Sequence, residues 1–365
     1  MDDIPLPPTP RPLKGRGAAS NPEGRFESVR HHAEDDGWQS ALLDDEAPRP
    51  RTEVSEERAR SVISRNDSPD IPFSQAINPY RGCEHGCIYC FARPSHSYLN
   101  LSPGLDFETK LRAKGNFAEV LRAELAKPGY VVSPINIGSN TDPYQPVEKR
   151  WRLTRAALEL LAECRHPCTI VTKNALVERD LDILAPMARQ QLVQVFVSLN
   201  SLDNRLAAKL EPRASAPHRR IQAIRALAAA GVPVGVLVAP IIPALNDKDM
   251  EAVMAQAAAA GARCAGYTVI RLPHELKTLF REWLAVHAPQ RAAHVMSLVQ
   301  QMNGGLDYDS NFATRMRGSG VFADLLHRRF EVACRQHHFG RARELVLDGS
   351  RFVPPRKASP QGELF

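Results

Sequence analysis

Three cysteines, Cys83, Cys87 and Cys90, stand at C-x3-C-x2-C spacing in the string Asn78-Pro79-Tyr80-Arg81-Gly82-Cys83-Glu84-His85-Gly86-Cys87-Ile88-Tyr89-Cys90-Phe91-Ala92-Arg93. Three thiolates on one tight loop can bind three corners of a cubane iron–sulfur cluster. The fourth iron then has no protein ligand and can take a reactant. Gly82 and Gly86 let the backbone bend closely around such a group. A zinc site built from the same thiols plus His85 or His96 competes with this reading. Against zinc, His85 lies inside the loop and a second C-x2-C half-site is absent. A chance cluster of buried thiols is the third reading, and the regular spacing speaks against it. Cys164 and Cys168 form another C-x3-C, yet they bracket a helix end and a strand start and read as small buried hydrophobes. Cys264 and Cys334 have no ligand company, so none of these four is assigned to an auxiliary cluster.

The elements that must position the loop follow from hydrophobic periodicity. Strands are expected at 74–80, 131–138, 168–173, 192–199, 233–239 and 265–271, and helices at about 115–127, 151–164, 176–190, 217–230, 247–261 and 274–287. Such alternation implies parallel strands joined by right-handed helical crossovers. Six units are two short of a complete eight-fold barrel. The expected fold is therefore α/β, a partial (β/α)6 TIM-like barrel over residues 71–290, with the cysteine loop at the C-terminal end of its first strand. Residues 291–350 read as a helical C-terminal extension and 351–365 as a flexible tail. Residues 1–70 read as a mostly disordered N-terminal arm, with a Pro-rich start, the run Gly15–Ser20, the acidic Asp44-Asp45-Glu46 and one short helix over 55–64. An alternative folds Arg16 and Gly24-Arg25-Phe26 back over the body.

The chain has 365 residues, 47 Lys or Arg and 41 Asp or Glu, a net charge of +6, and 43% hydrophobic residues. That is long enough to bury a core without disulfides. Seven cysteines, an odd number, and a first stretch with neither a basic nor an apolar leader region point to metal or catalysis rather than a disulfide framework. The longest apolar run, Val232–Leu245, contains three prolines and is too short to span a bilayer. A cytoplasmic protein is expected. Residues 1–70 hold 10 basic and 15 acidic side chains, which leaves 37 and 26 for the remainder. A basic body of this kind favours a phosphate backbone as partner.

The cysteine string, with Tyr89 just before the last thiol, resembles the radical S-adenosylmethionine (radical SAM) superfamily. Phe91-Ala92-Arg93, Ser139-Asn140-Thr141-Asp142-Pro143-Tyr144-Gln145-Pro146, Thr172-Lys173 and Leu210-Glu211-Pro212-Arg213 are similar to the branch related to spore photoproduct lyase. The resemblance covers about residues 71–290. It implies a 4Fe–4S cluster on Cys83, Cys87 and Cys90, and S-adenosylmethionine chelated to the open iron. Reductive cleavage of SAM would give methionine and a 5′-deoxyadenosyl radical that abstracts a substrate hydrogen. Tyr89 matches the position whose backbone approaches the adenine. Ser139, Thr141 and Asp142 are candidates for the SAM amino group, Lys173 for its carboxylate, Ser198 and Asn200 for ribose or carboxylate, and Glu211 and Arg213 for further contacts.

Three readings of the substrate follow. One is a nucleic-acid lesion processed by a repair lyase, a second is a small molecule, protein or peptide, and a third is a non-enzymatic zinc protein. Spore photoproduct lyase carries a cysteine hydrogen donor after its second strand, but Val131–Pro146 contains none here, which argues against that particular reaction. His96 and Tyr98 lie close enough in sequence to touch cluster or substrate, and Arg271, ending the sixth strand, could reach an anion in the mouth. A reductant protein such as flavodoxin or ferredoxin is an expected partner. The terminal Gln361-Gly362-Glu363-Leu364-Phe365 resembles the short peptide with which bacterial repair proteins dock on the DNA sliding clamp.

Overall fold

The computed structural model describes residues 13–26, 50–341 and 346–355. The expected clamp-binding tail, Gln361–Phe365, lies outside them. The strands are β1 (Glu53–Glu57), β2 (Ile63–Arg65), β3 (Gln75–Ile77), β4 (Tyr80–Arg81), β5 (Lys110–Lys114), β6 (Ile135–Ile137), β7 (Cys168–Thr172), β8 (Val193–Ser198), β9 (Val234–Ile241), β10 (Cys264–Val269) and β11 (Gly340–Arg341). The helices are α1 (Asp106–Thr109), α2 (Phe117–Leu125), α3 (Glu148–Trp151), α4 (Leu153–Glu163), α5 (Leu181–Arg189), α6 (Asn204–Leu210), α7 (Pro217–Ala229), α8 (Met250–Ala259), α9 (Leu276–His287), α10 (Pro289–Met302) and α11 (Gly320–Gln336). Short 3-10 turns at Arg93–Leu99 and Ala175–Asp180 complete the connections.

Eight strands form one sheet in the order β11-β10-β9-β8-β7-β6-β3-β2. Every neighbouring pair from β3 to β11 is parallel, and β2 runs antiparallel at the edge. The six expected strand–helix units are present, and the sheet does not close. β8 is buried along its whole length, as a strand covered on both faces must be, and so reads as a nearly unbroken apolar run. Gly235 of β9 is required by packing: a Cβ there would stand 2.6 Å from Cys264 Sγ and 2.7 Å from the Phe196 ring. Helices α2, α4, α5 and α9 each bury one apolar stripe against the sheet or its extension.

Several expectations need correction. The segment 55–64 is not a helix: Glu53–Glu57 pairs parallel with β5, which also takes β4, making a separate three-stranded sheet, and Ile63–Arg65 pairs with β3. Strand pairing supplied by distant backbone overrides the helical preference of this Glu-rich run. Within the expected disordered arm, residues 13–26 and 50–70 pack on the body instead. Arg16 is buried and donates to Glu108 O, Pro50 O and Thr52 Oγ1. The helical extension comprises α10 and α11 but ends on β11, a seventh parallel strand beside β10. Asp70, between β2 and β3, forms a two-bond ion pair with Arg315 at 2.6 and 2.7 Å. Arg315 adjoins Met316, whose carbonyl accepts from Val269 N at the end of β10. Among the described residues no helix is long and apolar enough to cross a membrane.

Candidate active site

The cysteine loop leaves β4 through Gly82 (φ 75°) and turns again at Gly86 (φ 67°). A Cβ on Gly82 would meet Leu111 Cδ2 at 2.7 Å, and one on Gly86 would meet Glu108 Oε2 at 2.6 Å. Both turns are therefore places where only glycine fits. Inside the loop, Cys83 N donates to Phe107 O, Cys90 N to Cys87 O and Ile88 N to Leu210 O. Arg93, fully buried, grips the same loop from behind, donating to Cys87 O at 2.8 Å and Gly86 O at 3.0 Å while pairing with Glu108.

Cys83 and Cys87 are buried and Cys90 is half-buried. Burial, with Asp142 and Cys90 nearby, pushes the Cys83 thiol up. Burial and the Glu211 carboxylate push Cys87 well up, while the Lys173 ammonium acts in the opposite direction. Both shifts favour the protonated thiol at Cys83 and Cys87, and ligation must displace those protons. Each of the two candidate zinc histidines is hydrogen-bonded through Nε2, and its Nδ1 is buried without a hydrogen-bond partner among the described residues. His85 Nε2 contacts Asn174 Nδ2 at 3.1 Å and its Nδ1 lies 3.4 Å from Asp142 Oδ2. His96 Nε2 bonds Lys110 O at 2.9 Å, and its burial brings it down to about 4, so it is neutral at pH 7. Among the described residues no three His, Cys, Asp or Glu side chains converge to hold a single metal ion. A cubane takes its thiolates at separate corners and needs no such convergence.

The ends of β6, β7 and β8 bring most of the sequence candidates to one place. Asp142 accepts from Thr172 Oγ1 and Lys173 N, both at 2.7 Å, and from Tyr144 N at 2.9 Å. Burial would raise this carboxyl, but His85 and these donors outweigh it and hold it at about 2. Lys173 Nζ stands 5.9 Å from the Tyr89 ring centroid. The Tyr89 hydroxyl donates to Glu211, whose other oxygen takes Arg220. Asn200 Nδ2 is 3.5 Å from the same hydroxyl, while Asn200 Oδ1 is buried without a hydrogen-bond partner among the described residues. An orphaned buried acceptor costs free energy unless something outside the protein meets it. Arg220 Nη1 also donates to Ser198 O.

Other candidates are committed locally. Thr141 is buried, with Oγ1 donating to Tyr80 O and its amide to Asn78 Oδ1; Ser139 Oγ accepts from Asn78 Nδ2. Arg213 pairs with Glu84 at 2.6 Å. Arg220, Asn78, Asn174 and Glu108 were not legible as site residues. Arg220 lies in the first turn of α7, in His218-Arg219-Arg220-Ile221, where nothing in the sequence distinguishes it from a solvated cation.

One guanidinium–aromatic pair stands at the loop itself, and others occur elsewhere on the surface. Phe91, next to Cys90, is 46% exposed, and Arg271 Cζ lies 5.1 Å from its centroid. Arg271 Nη2 is 3.4 Å from Tyr308 OH, and its Nε is buried with no hydrogen-bond partner among the described residues. Arg315 sits 4.4 Å over Phe312. Arg25 lies 5.0 Å from the Phe26 centroid and 5.7 Å from that of Tyr98, and the two rings are 5.0 Å apart.

Comparison with known proteins adds the following. The family model described as the radical SAM superfamily matches residues 77–257. An uncharacterized protein of Mycobacterium tuberculosis is 40% identical over 235 residues, 63% of this chain and 68% of that protein. One from Methanocaldococcus jannaschii is 27% identical over 197 residues, covering 54% and 71%. Among solved structures, a variant of spore photoproduct lyase superposes with a TM-score of 0.52 at 17% identity, over 78% of this chain and 79% of that one.

Proposed function

We propose, given that the chain belongs to the radical SAM superfamily, that Cys83, Cys87 and Cys90 carry its cluster, that the β6–β8 strand ends carry SAM, and that the substrate is a nucleic-acid lesion. The cofactors of the family are a 4Fe–4S cluster and S-adenosylmethionine, and together they supply a 5′-deoxyadenosyl radical for hydrogen abstraction once an external reductant delivers an electron. In this reading a flavodoxin or ferredoxin is that reductant, and the cytoplasm the compartment.

The roles follow from what each side chain leaves free. Lys173, over the Tyr89 ring, offers an ammonium to the SAM carboxylate in a charge-assisted bond. Asn200 Oδ1, buried and unmet, offers an acceptor to ribose or amino group. Asp142, with its oxygens already taken by Thr172, Lys173 and Tyr144, keeps the β6 and β7 ends in register and adds negative potential for the amino group. Glu211 and Arg220 hold Tyr89 in place, so Glu211 is a positioning residue. Ser139 and Thr141 set the loop after β6 through Asn78, Ser198 lends its carbonyl to Arg220, and Arg213 braces Glu84.

The observation that carries the substrate class is the rim of guanidinium–aromatic pairs, above all Arg271 over the exposed Phe91, one residue beyond Cys90. Exposed rings give unpaired bases a stacking platform, and arginines meet phosphates. The shared fold brings no substrate with it, and the reading is supported by the rim alone. The test is anaerobic. The protein is reconstituted with iron and sulfide, reduced and given SAM, and 5′-deoxyadenosine is quantified without DNA, with intact DNA and with ultraviolet-irradiated DNA. Formation that rises with irradiated DNA and falls back in Phe91→Ala supports the reading. Formation indifferent to every DNA would retain the chemistry and overturn the substrate class.

A further inference from the structure

We infer that the N-terminal strap, residues 13–26, is a working part of the cluster site: it fixes the cysteine loop through Glu108 and Arg93 and keeps solvent off the thiols. The inference rests on the reading of Cys83, Cys87 and Cys90 as the cluster ligands.

The strap meets the loop at its most constrained point. Gly17 N and Ala18 N donate to the two carboxylate oxygens of Glu108, at 3.0 and 2.8 Å. Glu108 is completely buried, as is its partner Arg93, and the same guanidinium holds the carbonyls of Gly86 and Cys87 between two of the thiols. A buried ion pair is stable only when its remaining hydrogen-bonding capacity is met. The strap amides meet it. Gly17 also approaches so closely that a Cβ there would fall 1.8 Å from Gly86 O. Ala18 packs into the apolar cluster that contains Cys87, Ile88 and Tyr89. Beyond the loop the strap is anchored independently, Ser20 Oγ donating to Glu282 of α9 and Asn21 Nδ2 to Asp106 of α1. None of these strap residues falls in the span 77–257 matched by the family model.

The experiment uses the full-length chain with Gly17→Ala, which places a methyl group where Gly86 O now sits. The apoprotein is pulsed with N-ethylmaleimide, and modification of Cys83, Cys87 and Cys90 is followed by peptide mass spectrometry, with buried Cys168 and Cys264 as references in the same molecule. In parallel, both reconstituted proteins are exposed to air and the loss of cluster absorbance is timed. Expected are an increase of about tenfold in labelling of the loop thiols, with the reference thiols unchanged, and bleaching accelerated by about the same factor, as local opening of one segment predicts. Unchanged loop labelling and bleaching would overturn the inference. Equal acceleration at Cys168 and Cys264 would overturn it too, because the strap would then be a general staple of the fold. A wild-type protein that binds no iron would instead defeat the ligand assignment itself.

Discussion

The hydroxyl of Tyr89 donates to Glu211, 122 residues further along the chain, and so ties the cysteine loop to the segment after α6, where Ile88 N also donates to Leu210 O. Arg220 completes the chain of contacts from α7, and all three groups are buried. The arrangement sets two unequal costs. Tyr89→Phe leaves one carboxylate oxygen short of a donor, a loss of about 1–3 kcal/mol. Glu211→Gln leaves the Arg220 charge unpaired in the interior and costs about 3–5 kcal/mol. Urea denaturation of the two apoproteins should show that order, and Tyr89→Phe should also weaken SAM binding measured by calorimetry on the reconstituted protein.

Cysteine replacements should separate the loop from the rest. Cys90→Ala is expected to lose bound iron and 5′-deoxyadenosine formation together, because two thiolates cannot hold a cubane that needs three protein corners. Cys264→Ala, at a buried thiol of β10 beside Gln194 Nε2, should keep both and lose only stability. Iron and sulfide analysis after reconstitution decides the matter.

Acid should weaken the fold through His166. Burial lowers this imidazole to about 4, and it contacts Pro167 O and Tyr130 OH, both at 2.9 Å. The folded value lies below the ordinary 6.5, so the unfolded chain binds the extra proton first and stability falls as pH drops from 6.5 towards 4. The loss approaches about 3 kcal/mol at the lower end. Denaturant midpoints at pH 7 and pH 5 should differ in the wild type, and the difference should shrink in His166→Gln.

Salt dependence should rank the rim arginines. Among the described residues Arg271 forms no ion pair and its Nε is unmet, whereas Arg315 is neutralised by Asp70 through two bonds. Removing an arginine that releases a counterion from a single strand lowers the slope of log affinity against log salt by about 0.7. Arg271→Ala should show that decrease with single-stranded DNA in fluorescence anisotropy titrations. Arg315→Ala, which also frees Asp70, should change the slope less.

How much of this was legible in sequence depends on whether the cause was local. The six strand–helix units carry their own periodicity, and the observed strands fall within about two residues of the expected ones at most ends, β3 and β6 being shorter. The cysteine loop is likewise written in one contiguous string. β1 is different, because Glu53–Glu57 becomes a strand only by pairing with Lys110–Lys114. The strap was legible only as the alternative that folds Arg16 and Gly24-Arg25-Phe26 back over the body, which is the arrangement found; Gly17 and Ala18 look like linker until Glu108 supplies an acceptor. Within the site, Lys173 and Asn200 could be chosen because strand ends face one mouth. No pattern announces that Thr141 would spend its hydroxyl on Tyr80 O, or that Arg220 would turn inward to Glu211.

The contact between Asp70 and Arg315 has a mechanical meaning. A closed barrel joins its first and last strands by a ladder of backbone bonds, which has a register and cannot part without local unfolding. Here a pair of opposite charges, Asp70 and Arg315, links the stretch before β3 to the stretch beyond β10. Such a clasp has no register. Parting it breaks two side-chain bonds and no backbone ladder.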